Sequence, residues 1–135
     1  MSVEKLFDGI EVGISTTRPD ELVAFYGGFL GLEDRGELAF DGGTQRRFGF
    51  GPNTIKIVSY DKAPAQGPVP GGGAAQQGIR YLSLGATNMA AVVAAAEAQG
   101  IEVAVPPTEA QGFEGFGFCF LVDPDGNWVE LFGPI

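Results

Sequence analysis

One pattern runs through this sequence twice, and a chain built that way is expected to fold as two copies of one small unit. The first copy is Glu11-Val-Gly-Ile-Ser, a helical stretch from Pro19 to about Phe29, and then Gly31-Leu32. The second is Tyr81-Leu-Ser-Leu-Gly, a helical stretch from Met89 to Gln99, and then Gly100-Ile101. Glu11 falls on Tyr81, and Leu30-Gly31-Leu32 falls close to Gln99-Gly100-Ile101. Pro19 suits a first helical turn with Thr17 as its expected cap, Asn88 is a good cap for the second helix, and Gly31 and Gly100 suit the left-handed residue that ends a helix. Met89, Val92, Val93 and Ala96 recur at helical spacing and predict a core stripe.

Strand-like material follows each helix. Glu37 to Asp41, Gln45 to Phe50 and Thr54 to Tyr60 are separated by Gly42-Gly43 and Gly51-Pro52-Asn53. Ile101 to Val105, Phe116 to Val122 and Trp128 to Phe132 come after the second helix, and Asp123-Pro-Asp-Gly-Asn predicts a type I turn joining the last two. Each half therefore reads βαβββ, and the fold class is α+β. The expected organisation is one domain, 1–135, with a module over about 5–62, a Gly/Pro/Ala/Gln-rich flexible connector or flap over 61–77, and a module over about 78–135. A half of about 60 residues with one helix cannot cover both faces of a four-stranded sheet, so the halves are expected to pack together or to exchange with a second chain. Two such sheets would enclose a trough for a small molecule.

Composition removes several chemistries. Hydrophobic residues at 44% and charged ones at 19% support a real core and exclude disorder as the main state. The chain has no histidine, so imidazole bases, His-dependent triads and His metal sites are excluded. A single cysteine, Cys119, excludes an internal disulfide and a Cys-based zinc cluster. The net charge is −9, and from Tyr81 onward there are seven acids and no base, which argues against a nucleic-acid partner. No apolar run is long enough for a membrane span, and Met1 to Asp8 has neither a basic start nor an apolar signal core. A soluble cytoplasmic protein with no membrane partner is the expectation.

Asp123-Pro-Asp-Gly-Asn-Trp-Val-Glu-Leu, Glu11-Val-Gly-Ile followed by Leu22-Val-Ala-Phe-Tyr and Leu30-Gly-Leu, and Gly112-Phe-Glu-Gly-Phe-Gly-Phe-Cys-Phe together resemble the vicinal oxygen chelate superfamily. That superfamily includes glyoxalase I, bleomycin-resistance proteins, fosfomycin-resistance enzymes and extradiol dioxygenases. The resemblance covers nearly the whole chain and implies paired βαβββ modules, a cupped mixed sheet around a ligand cavity, and a homodimer. It also implies that metal-binding members carry ligands on the first and fourth strands of each module. Those positions are Glu11, Lys56, Tyr81 and Glu130 here, with Asn53 aligned on Asn127, so the sequence departs from the metal pattern at Lys56 and Tyr81. Glu11 and Glu130 alone could hold a weak hydrated Mg2+, but an ammonium opposes a cation and neutral tyrosine is a poor ligand. The expectation is no cofactor and no metal, with Glu11 and Glu130 as the ligands of any divalent ion.

Three functions fit these residues. The first is a metal-independent isomerase or lyase acting next to a carbonyl. Glu11 or Glu130 would be the general base, Lys56 and Tyr81 would stabilise an enolate, and Arg46 or Arg47 would hold an anionic group of the substrate. One of the two carboxylates would be pushed toward neutrality and the other pulled down by Lys56. The second is a ligand-sequestering protein of the bleomycin-resistance type, with Phe48, Phe50, Phe113, Phe116, Phe118, Phe120 and Trp128 as stacking walls for a cationic or polar aromatic guest. The third is a divalent-metal-dependent lyase or dioxygenase. Against all three stands the plain structural reading: a Glu11, Lys56 and Glu130 salt-bridge network, with the phenylalanines as core. Cys119 reads as a small hydrophobe, Asp123, Asp125 and Asn127 as turn residues, and Gly71 to Gly73 as a loop without phosphate-binding features.

Overall fold

The computed structural model describes residues 7–135; the expected start of the first module near residue 5 lies outside them. The chain divides into two compact units, one ending at Gln66 and one beginning at Gly67. The first contains β1 (Glu11–Ser15), α1 (Pro19–Val23), β2 (Glu33–Phe40), β3 (Gly43–Phe50) and β4 (Asn53–Tyr60). Its sheet runs β1-β4-β3-β2, with β1 parallel to β4 and the other pairs antiparallel. The second contains β5 (Tyr81–Gly85), α2 (Met89–Ala98), β6 (Val103–Glu109), β7 (Phe116–Val122) and β8 (Trp128–Pro134). Its order, β5-β8-β7-β6, repeats the first with the same strand directions. Both units are βαβββ, so the α+β fold with two such modules is the one expected.

Each sheet buries one face beneath its helix. In the first unit Leu22, Phe25, Tyr26, Phe48, Ile55 and Ile57 form the core, and in the second Met89, Ala96, Cys119, Leu121, Val129 and Leu131 do. Asn88 Oδ1 accepts from Ala91 N at 3.1 Å, capping α2 as expected. Gly31 and Gly100 end their helices at φ 68° and 71°.

Four local details depart from the expectations. The first helix is α-helical only to Val23 and continues as a π-helix over Ala24–Phe29. Gly27 lies there against the ring of Phe48, where a Cβ would come within 2.6 Å, so the helix backbone rests directly on the core. Thr17 does not cap this helix; Arg18 is the cap residue, and its N–H donates to Thr16 Oγ1 at 2.9 Å. β2 begins at Glu33, earlier than Glu37, because a bulge between Asp34 and Glu37, with Gly36 at φ 91°, breaks the alternation that would reveal it. β6 is shifted toward the C-terminus to Val103–Glu109 and includes Pro106 and Pro107, which an edge strand tolerates.

The expected flexible connector is partly held down. Gly72 opens a short 3₁₀ turn, Gly72–Ala74, with its backbone against the ring of Trp128. Arg80 donates from Nε to the Gly72 carbonyl at 3.0 Å and from Nη2 to the Val69 carbonyl at 2.6 Å.

Candidate functional site

Strand pairing gives both sheets the same set of addresses. In the first unit Glu11 stands opposite Thr54, and Gly13 opposite Lys56, which is also paired with Arg47. In the second Tyr81 stands opposite Trp128, and Ser83 opposite Glu130, which is also paired with Phe120. Glu11 thus matches Tyr81, Lys56 matches Glu130, and Arg47 matches Phe120. Paired residues share a face, so these side chains all stand on the sheet faces turned away from the helices.

The first unit fills those addresses with charge. Arg47 Nη2 donates to Glu11 Oε1 at 2.5 Å, and Lys56 Nζ lies 3.2 Å from Glu11 Oε2. Arg47 Nη1 donates to Gln45 Oε1 at 2.9 Å, two residues along the same strand face. The Arg47 hydrogen bond, followed by that from Lys56, holds the Glu11 carboxyl below its ordinary range. Arg35, absent from the sequence expectations because the bulge hides its phase, also lies on this face over Gly49 and donates to the Gly51 carbonyl at 2.9 Å.

The second unit fills the same addresses with aromatic rings around one carboxylate. Glu130 is flanked along β8 by Trp128 and Phe132 and across the pairing by Phe120. Ser83 Oγ donates to Glu130 Oε1 at 2.7 Å. Tyr81 meets Phe120 edge to face at 5.1 Å, Phe120 meets Trp128 at 5.0 Å, and Phe118 meets Phe120 at 6.1 Å. Phe113 and Phe116 pack on Phe132 at 5.6 and 6.0 Å. Tyr81, Phe113 and Phe116 are about half exposed, and Phe118, Phe120, Trp128 and Phe132 are partly buried. Ser83 was not singled out in the sequence; its link to Glu130 exists only once β5 pairs with β8.

The remaining expected residues separate by strand alternation. Arg46 points to the face opposite Arg47 and makes a bidentate pair with Asp34. Phe48 is buried under the helix and offers no surface, whereas Phe50, at the end of the same strand, is half exposed. Cys119 is also buried on the helix side, and burial pushes its thiol up, as befits a small hydrophobe rather than a nucleophile.

A family model described as the Glyoxalase/Bleomycin resistance protein/Dioxygenase superfamily matches residues 10–131. The chain belongs to that superfamily. A glyoxalase/dioxygenase from Nostoc punctiforme superposes over all of this chain and 96% of its own, with a TM-score of 0.78 at 14% identity. A glyoxalase family protein from Enterococcus faecalis is 26% identical over 93% of each chain, with a TM-score of 0.63. A glyoxalase I variant from Zea mays has a TM-score of 0.73 at 14% identity, with 92% of this chain spanning 46% of that one. No curated protein matches the chain significantly.

Many members of this superfamily use a divalent metal, and the donor set here does not fit one. Both oxygens of Glu11 are engaged by cations, from Arg47 and Lys56. At the matching address Tyr81 offers a phenol packed against a phenylalanine. Among the described residues no group of three or more His, Cys, Asp or Glu converges as a metal site would require.

Proposed function

We propose that this superfamily member captures a flat, cationic aromatic small molecule on the face around Glu130 and holds it without chemical change. The observation that carries this reading is the placement of one carboxylate, steadied by Ser83, among Tyr81, Phe118, Phe120, Trp128 and Phe132. Rings supply dispersion and cation–π attraction, and Glu130 supplies the counter-charge. The acidic second half adds long-range attraction for a cation. The reading includes a cytoplasmic homodimer, which sedimentation would register as twice the 14.1 kDa of one chain.

Trp128 is the sole tryptophan, so its emission reports on this face directly. N-methylacridinium is expected to quench it and to bind about tenfold more tightly than neutral acridine, a preference of about 1.4 kcal/mol. Glu130→Gln should reduce the preference, leaving only what the rings and the distant acids supply, while acridine binding stays unchanged. Equal affinity for the two dyes in the parent protein would refute the reading.

The acid-base alternative keeps one support, the carboxylate of Glu130 beside a hydroxyl on an apolar face. Glu11 is the weaker candidate base, since Arg47 and then Lys56 stabilise its charged form and lower its basicity. Turnover of a carbonyl compound that stops in Glu130→Gln but survives in Glu11→Gln would favour this second reading.

A further inference from the structure

The open face of the first sheet carries more positive charge than Glu11 neutralises. One carboxylate is shared by Arg47 and Lys56, and Arg35 lies over Gly49 on the same face with Glu33 as its ion-pair partner at 3.5 Å. A guanidinium has five N–H donors and an ammonium three, so Glu11 and Gln45 leave donor capacity over. The Arg47 and Lys56 side chains are 23% and 28% exposed, partly withdrawn from water, where an anion is held more firmly than on an open surface. Glu11 itself is 45% exposed and opens β1, so its side chain can swing into solvent without disturbing the core.

Space lies beside the cations. Gly13 pairs with Lys56, and a Cβ built on Gly13 meets nothing within 4 Å. The matching residue of the second unit is Ser83, whose hydroxyl occupies the corresponding flank of Glu130. Gly13 therefore leaves open the place beside Lys56 that a side chain fills in the other sheet.

We propose that Arg47 and Lys56 form a binding site for a carboxylate-bearing small molecule, that Gly13 provides its floor, and that Glu11 is the chain's own occupant, displaced when the ligand arrives. A guanidinium fork matches the two oxygens of a carboxylate, and the ammonium adds a point charge on the second oxygen. Competition from Glu11 makes the site weak toward simple carboxylates and selective for ligands that gain contacts elsewhere on the face. The proposal is independent of cation capture around Glu130, because it involves neither Glu130 nor any aromatic ring.

The test is titration of the full chain with acetate and, separately, inorganic phosphate, followed by the arginine Nε–H resonances, with Arg47→Lys used to assign that of Arg47. Glu11→Ala is expected to bind acetate about tenfold more tightly than the parent protein. Adding Arg47→Ala or Lys56→Ala should abolish the gain. Gly13→Leu in the Glu11→Ala background should also abolish it by filling the floor, while the circular dichroism stays unchanged. If Glu11→Ala fails to fold, Glu11→Gln, which keeps the shape and removes the charge, should show a smaller gain in the same direction. An unchanged acetate affinity in both Glu11 variants overturns the proposal, as does full retention of the gain with Gly13→Leu. Phosphate binding more tightly than acetate overturns the carboxylate assignment.

Discussion

What Glu11 touches lowers its affinity for a proton, against the smaller opposing effect of burial. Its side chain is nearly half exposed, yet Arg47 and then Lys56 lower its pKa below the ordinary 4.5. A carboxyl depressed in the folded state stabilises the fold above its unfolded pKa and loses that contribution as pH falls through the folded value. The parent protein should therefore resist urea better than Glu11→Gln near neutrality, and the two midpoints should converge in acid below the ordinary carboxylate range. A gap that persists unchanged in acid would show that the ion pairs contribute nothing. At this scale the sequence was legible in part. Glu11, Lys56 and Arg47 could be singled out as candidates, and the split of Arg46 and Arg47 between two faces follows from strand alternation alone. That Arg47 would be the leading partner of Glu11 was not legible, because they lie on strands that do not pair with each other and meet only across β4.

The turn joining β7 to β8 is organised around one side chain. Asp123 Oδ1 accepts from the backbone N–H groups of Asp125 and Asn127 at 2.9 Å each, and Oδ2 accepts from Asn127 Nδ2 at 2.9 Å. The turn closes with Gly126 N donating to the Asp123 carbonyl at 2.9 Å, and Gly126 takes φ 88°. Asp123 is 4% exposed, so Asp123→Ala would strip partners from groups with little access to water. The expected cost is about 2–3 kcal/mol, read as a lower urea midpoint at an unchanged slope. A loss below about 0.5 kcal/mol would mean that water replaces the carboxylate without penalty. This element was legible in the sequence because every group in it lies within five consecutive residues. The π-helix of the first unit was not, because its conformation involves a contact between Gly27 and Phe48, distant in sequence. β2 escaped for a related reason: its bulge resets the alternation that marks a strand.

At the scale of the whole molecule, charge was the most legible property and the one least tied to any contact. Seven acids and no base from Tyr81 onward, within a net charge of −9, give a cationic guest a field to follow before it touches Glu130. Salt separates that field from the contact. The screening length falls from about 10 Å at 0.1 M to about 3 Å at 1 M, so distant acids are silenced while a pair at hydrogen-bonding distance is weakened much less. N-methylacridinium should therefore bind several-fold more weakly at about 1 M salt than at 0.1 M, chiefly through slower association. Neutral acridine should show no such loss, since apolar contact does not depend on the field. In Glu130→Gln the cation should bind more weakly at every salt concentration yet keep most of its salt dependence, because the other acids remain. If that dependence vanishes with Glu130, attraction comes from one contact and the acidity of the second half has no part in capture. Loss of the salt dependence only when several distant acids are neutralised together would assign it to the field of the whole chain.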